Sequence, residues 1–201
     1  MGCHNGPPNP PTGSVSWLAY VDESIRTDDG VYVLAAVALE RVDAAAVRAA
    51  VRALEPRPGR RFHWRDKEPY ERRDAASLLA DLPVLPIVTI GAPVDPRRQE
   101  RGRRHCMAAL LFELAEAGVE EVWLESRNPT ADRRDLHVIG GFRTRRIVPG
   151  GLRIGHARPG DEPLLWAADI VAGAASAGAG GDAAYRELIG AKLTEHQVTL
   201  G

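Results

Sequence analysis

The apolar run Trp17-Leu18-Ala19-Tyr20-Val21 breaks abruptly on Asp22-Glu23-Ser24, and a second apolar run over 31–39 follows across a polar turn. Such runs read as strands over 15–21 and 31–39, paired antiparallel through the intervening loop. Successive strand side chains point to opposite faces, so Asp22 and Glu23 cannot both enter one core. A carboxylate at the tip of an apolar strand is offered to a metal ion or a substrate without deep burial. Two further acids have comparable surroundings: Glu125 closes Val122-Trp123-Leu124, and Asp169 interrupts the small-residue apolar run 164–173. Three acids at the edges of apolar elements suggest an acidic metal site. The competing reading makes Asp22 and Glu23 turn-openers, Glu125 a solvated strand end and Asp169 a helix-edge acid bonded to an arginine. Asp169 fits that reading least, because a carboxylate in an apolar helix costs several kcal/mol unless paired, coordinated or near water.

Downstream, Asp43 has the character of an N-cap for a short helix with Val47, Val51 and Leu54 on one face. The spacing predicts a short third strand over 61–64, a helix over 71–82 and a strand over 84–90. Pro86 assigns that last strand an edge, or itself an early position. The longest helix is expected over 97–117, with Gly118 just past its end. Consecutive apolar residues make 119–125 a strand of the buried, parallel type. A helix opens at Asn128-Pro129-Thr130 and is interrupted or ended near Gly140-Gly141; a strand over 151–156 and helices over 164–177 and 183–189 follow. Opening strands followed by alternating helices and strands predict an α/β fold with a mixed sheet flanked by helices. The Pro-, Gly- and Asn-rich segment 1–14 reads as a flexible tail, and 15–201 as a single domain.

The chain has 201 residues and a formal net charge of −1, unevenly spread: residues 57–158 hold 20 basic and 14 acidic side chains. That asymmetry points to an anionic partner for the middle of the chain, with Arg97, Arg98, Arg101, Arg103 and Arg104 as its densest run. The competing reading is a solvated helix face, since coding bias also favours Arg in a chain rich in Ala, Gly and Pro. The two cysteines form no CxxC or Cys/His cluster, which excludes a structural zinc site and a disulfide framework. Cys106 beside His105 is no nucleophile pair, because adjacent helix residues face different ways. Without a membrane-spanning run or a leader, the chain is expected to be a cytoplasmic protein with no membrane association.

Tyr20-Val21-Asp22-Glu23-Ser24, then Val31-Tyr32-Val33-Leu34-Ala35-Ala36-Val37, then Ala168-Asp169-Ile170-Val171-Ala172-Gly173 resemble, in the same order, the family called domain of unknown function 3800. The resemblance covers about 16–176. It implies a ribonuclease H-like fold and the chemistry of a divalent-metal-dependent nuclease. Asp22 matches the family's strand-end Asp and Asp169 the Asp of its closing helix. Glu125 stands where the family often has Asp, and Ile25 where it commonly has Gly. His63, in Phe62-His63-Trp64, falls in the region of a short polar motif.

Converging carboxylates repel one another until a cation neutralises them, and Mg²⁺ or Mn²⁺ suits hard oxygen ligands. Two such ions about 4 Å apart activate a water and stabilise the leaving oxygen of a phosphodiester. In that scheme Asp22 bridges the ions, Glu125 and Asp169 hold one each, and Glu23 supports them without ligating. Arg97, Arg101 and Arg104 would contact the phosphates of a nucleic acid, and His63 would lie beside the acids as a proton shuttle or as a structural histidine. Two alternatives stay open: a non-catalytic ribonuclease H-like module that binds nucleic acid or a protein partner, and a hydrolase of small phosphorylated molecules.

Overall fold

The computed structural model describes residues 16–26, 29–55, 57 and 59–200; the expected tail over 1–14 lies outside them. Six strands, β1 (Trp17–Arg26), β2 (Val31–Glu40), β3 (Leu85–Ala92), β4 (Val119–Glu125), β5 (Arg153–Ala157) and β6 (Thr194–Thr199), form one sheet in the order β5-β4-β1-β2-β3-β6. β1, β2 and β3 are an antiparallel meander. β4 adds to β1, and β5 to β4, in parallel, while β6 lies parallel to β3 on the far side. The helices are α1 (Ala44–Arg52), α2 (Pro69–Asp81), α3 (Gln99–Glu116), α4 (Pro129–Thr144), α5 (Leu164–Ala179) and α6 (Ala184–Ile189). The mixed α/β sheet flanked by helices is the class expected from the sequence.

The central strands carry a core on each face. Leu18, Tyr20, Val33, Ala35, Val37 and Leu39 pack with residues of α1, α2, α5 and α6. Their alternates Ala19, Val21, Tyr32, Leu34, Ala36 and Ala38 pack with residues of α3 and α4. Burial on both faces is why β2 is apolar without alternation. It also explains why α5, squeezed between the sheet and other helices, is buried over most of its circumference.

Four expectations need correcting. β1 does not stop at Val21: its ladder with β2 runs on through Asp22, Glu23 and Ile25 to Arg26. The acids therefore sit inside a strand and open no turn. Residues 61–64 join no ladder; they run extended into the 3-10 turn Trp64–Asp66. Gly140 and Gly141 do not end α4, because Ile139 and Phe142 on either side of them are buried in the α3-side core, which outweighs the entropic cost of two glycines. β6 was not foreseen; its half-exposed polar sequence Thr-Glu-His-Gln-Val-Thr is that of a blunted edge strand. Pro86 has the early position expected of it, ahead of Ile87, where pairing with β6 begins.

One close approach ties α5 to the 61–64 segment. A Cβ built on Gly173 would lie 2.3 Å from Cγ of Trp64, so only glycine lets the indole lie on the helix. Trp64 is buried there, edge-on to Tyr185 with ring centroids 5.1 Å apart. Gly173→Ala is expected to lower stability by about 1–3 kcal/mol through overpacking. Gly141→Ala, where an added methyl meets no atom within 4 Å, should raise it by about 0.5–1 kcal/mol. Urea midpoints of the two variants measure both effects, and equal shifts of one sign would contradict this account of the helix contact.

Candidate active site

Register and alternation bring two of the acids together. Val21 pairs with Leu124, so the next residues, Asp22 and Glu125, stand side by side where β4 ends. Leu18 and Tyr20 belong to the α5-side core and Ala19 and Val21 to the α3-side core; Asp22 therefore turns towards α5 and Glu23 away from it. Trp123 packs on the α5 side, which places Glu125 on the same face as Asp22. Asp169 arrives from α5 itself. All three carboxylates line one cavity of about 200 Å³, together with Arg61 and His63.

Asp169 is held by the segment that Gly173 admits. Its Oδ2 accepts the Trp64 backbone N–H at 2.7 Å and lies 3.2 Å from His63 Nδ1. The same oxygen thus fixes the course of the loop and the place of the imidazole. The His63 pKa is raised above its ordinary value, chiefly by that bond to Asp169. Arg61 and His63 both line the cavity, while Phe62 between them is buried. Arg61 Nη1 pairs with Glu125 Oε1 at 3.2 Å.

The acids lack sufficient positive charge. Burial raises the Asp22 pKa well above the carboxylate range; the charges of Glu125 and Asp169 push it further, and Arg61 only partly opposes them. Glu125 is also raised, first by burial, against the pull of Arg61. A hydrogen bond between Asp22 and Glu125 adds to the upward shift of Asp22, as expected when neighbouring carboxyls share a proton.

On the opposite face of β1 the charges are matched. Glu23 pairs with Arg103 and accepts from the Tyr32 hydroxyl. Arg103 also grips Asp135 in a two-pronged bond, Nη2 to Oδ2 at 2.8 Å and Nε to Oδ1 at 3.2 Å. Arg127 reaches Asp135 at 3.2 Å and Glu100 at 2.7 Å. Burial alone would raise the Asp135 pKa; the approach of His156 Nε2 to 3.5 Å, the hydrogen bonds from Arg103 and the charges of Arg103 and Arg127 bring it down to about 2. Glu23 lines the rim of the cavity, but its carboxylate is spent in this network.

Of the arginines expected to contact substrate, Arg97, Arg101 and Arg104 are exposed and line no wall of the acidic cavity. The helical period is the reason. Arg103 shares the inward face of α3 with Cys106, Met107 and Leu110, whereas Arg101 and Arg104 fall on the outer one. The arginines that line the cavity are Arg61, Arg103 and Arg127. Arg61 could have been found in the sequence from its two-residue spacing to His63; Arg127 has the same spacing to Glu125 but lies past the end of β4, where strand alternation no longer places a side chain.

Chemically the donor set fits a hard divalent cation: three carboxylates gather, and two of them are held above their ordinary pKa by burial and crowding. Their present disposition is not a finished cage. Among the described residues no three His, Cys, Asp or Glu side chains are grouped to hold a metal ion. Arg61 occupies an oxygen of Glu125, and His63 with Trp64 occupies one of Asp169.

No protein-family model matches the chain, and no curated protein does. Among solved structures, it is similar to the one described as the PCNA:RNase HII complex from Archaeoglobus fulgidus, at 18% identity over 77% of this chain and 70% of that one, with a TM-score of 0.52. At that identity the likeness is one of fold. The fold is ribonuclease H-like. Among the described residues no helix is long and apolar enough to cross a membrane.

The two faces of β1 should respond oppositely to pH. Asp22 binds its proton more tightly folded than unfolded, so the stability it confers is present in acid and lost as pH rises through its raised pKa. Asp22→Asn is therefore expected to raise the melting temperature at pH 7 without metal, with a gain that vanishes below about pH 4. Asp135 has the reverse sign: its contribution is complete above the ordinary carboxylate pKa and is lost as pH falls towards about 2. Asp135→Asn should destabilise at pH 7, by about 3–5 kcal/mol if breaking a buried pair sets the scale. Melting curves of both variants from pH 3 to pH 8 check the signs.

Proposed function

We propose that the protein is a divalent-metal-dependent nuclease whose centre is Asp22, Glu125 and Asp169. The observation that carries this reading is the meeting of three acids from β1, β4 and α5 in one cavity at the carboxyl edge of the parallel pair. The ribonuclease H-like fold supports it, and the resemblance of the sequence to domain of unknown function 3800 agrees with it. Mg²⁺ or Mn²⁺, held by those three residues, would supply an activated water and charge stabilisation at the scissile phosphate.

The chain's own residues have separable tasks. Asp22, the most crowded of the three, is the carboxylate whose ionisation gains most from a cation. Asp169 holds His63 at the cavity wall, and the raised pKa keeps that imidazole a proton donor nearer neutral pH, suited to a departing oxygen. Arg61, paired with Glu125 at 3.2 Å, is the guanidinium that could turn to phosphate oxygens if a cation took over that carboxylate. Glu23, Arg103 and Asp135 hold β1 from behind.

The non-catalytic alternative called for dispersed acids or an arginine bonded to Asp169. Here the acids share one cavity, and the partners of Asp169 are His63 and the Trp64 main chain.

Wild type is expected to gain thermal stability with Mn²⁺ and to cleave an oligonucleotide in its presence. Asp22→Asn and Asp169→Asn should lose both properties and keep their fold by circular dichroism. Equal Mn²⁺ stabilisation of wild type and both variants would sink the proposed centre.

A further inference from the structure

Beside the acidic cavity lies a second basin of about 630 Å³, lined by Arg57, Arg60, Arg61, His63, Asp66 and Lys67. Four permanent cations face a single acid there. Arg61 and His63 line both cavities, so the basic basin adjoins the one that holds the carboxylates.

The cations are set in place by short-range structure. Arg60 N–H donates to the Arg57 carbonyl at 2.9 Å, closing a turn that brings these two residues together. Gly59 takes the positive φ of 77° within that turn, and its N–H is held by the Glu55 carboxylate. Lys67 is fixed by Glu71 at 2.9 Å, with its ammonium 5.3 Å from the centre of the Phe62 ring. Arg57 and Arg60 are exposed and carry no ion pair among the described residues. Unpaired guanidiniums beside anchored cations are a seat for phosphate oxygens, which a planar donor fork engages two at a time.

We propose that this basin, built on residues 57–67, seats the backbone phosphates of a nucleic-acid strand next to the scissile one, and that the outward arginines of α3 do not. The inference rests on the nuclease reading above and adds the path of the strand. From the carboxylates the strand passes Arg61 and His63 and continues over the Arg57–Arg60 turn. Arg97, Arg101 and Arg104 border neither cavity on that path. Arg98 and Arg101 instead border a separate hollow with Pro93 and Leu200.

The test is binding of a short labelled single-stranded oligonucleotide between about 50 and 200 mM salt, with Ca²⁺ present to prevent turnover. It compares wild type, the double variant Arg57→Gln/Arg60→Gln and the triple variant Arg97→Gln/Arg101→Gln/Arg104→Gln. The slope of log affinity against log salt should fall by about 1.4 in the double variant, since each phosphate contact on a single strand contributes about 0.7. The triple variant should keep the wild-type slope. Mn²⁺ stabilisation, measured alongside, should be the same in all three proteins. An unchanged slope in the double variant, a loss confined to the triple variant, or salt-insensitive wild-type binding would each overturn the strand path. Absence of Mn²⁺ stabilisation in wild type would instead overturn the metal centre, and the salt slopes would still decide whether the basin binds phosphate.

Discussion

The bond from the Trp64 main chain to the Asp169 carboxylate, 2.7 Å long, is the contact on which the rest of the site depends. A carboxylate within a helix as apolar as α5 needs compensation, and a backbone donor supplies it without adding a side-chain cation that would compete with a metal. The donor arrives only because Gly173, one helical turn on, leaves room for the indole. The pair Asp169 and Gly173 thus acts as one device: the glycine seats the ring, the acid catches the N–H, and the chain leading to them is drawn across the mouth of the sheet. That course delivers His63 to Asp169 and Arg61 to Glu125. A functional acid and a packing glycine are therefore two ends of a single docking contact.

β1 separates two electrostatic regimes by one residue. Asp22 faces carboxylates and is held back from ionising; Glu23, its neighbour, faces Arg103 and Tyr32. The pleat alone decides which is which. A two-pronged bond from Arg103 to Asp135 leaves further donors for Glu23 and Tyr32, so one buried guanidinium fastens β1, β2 and α4 together. The strain of crowding like charges falls on the Asp22 side, and the well-paired network behind it is what makes that crowding tolerable to the fold.

Much of this was legible in the sequence where one local signal had no rival. The bounds of β4 follow from its consecutive apolar residues, and Gly118 marks the end of α3 with its φ of 81°. Asp22, Glu125 and Asp169 stood out because each acid interrupts an apolar run. What could not be read depends on tertiary partners. The 61–64 segment has strand-like composition, yet its Trp64 N–H donates to an acid over a hundred positions away; Gly140-Gly141 looks like a helix end until Ile139 and Phe142 find the core. The dense arginine run that opens α3 could not be placed from the sequence for a related reason. Charge density along the chain says nothing about which side of a helix it occupies, and the one inward residue, Arg103, serves as an internal counter-ion.

Arg61 shows how acidic and basic surfaces can share a boundary without cancelling each other. It lends Glu125 part of the positive charge the carboxylates lack, and it also lines the basic basin. The pair is partly exposed, so solvent screens it and it holds weakly. A divalent cation carries twice the charge and can approach several carboxylates at once, which one guanidinium cannot do from the end of a single stem. On the proposed reading, a cation in the acidic cavity would compete with Arg61 for Glu125, and a guanidinium released beside Arg57 and Arg60 would add to the positive potential where a phosphate would follow. Loading the carboxylates and readying the anion seat would then be coupled electrostatically through one side chain, Arg61, which lines both cavities.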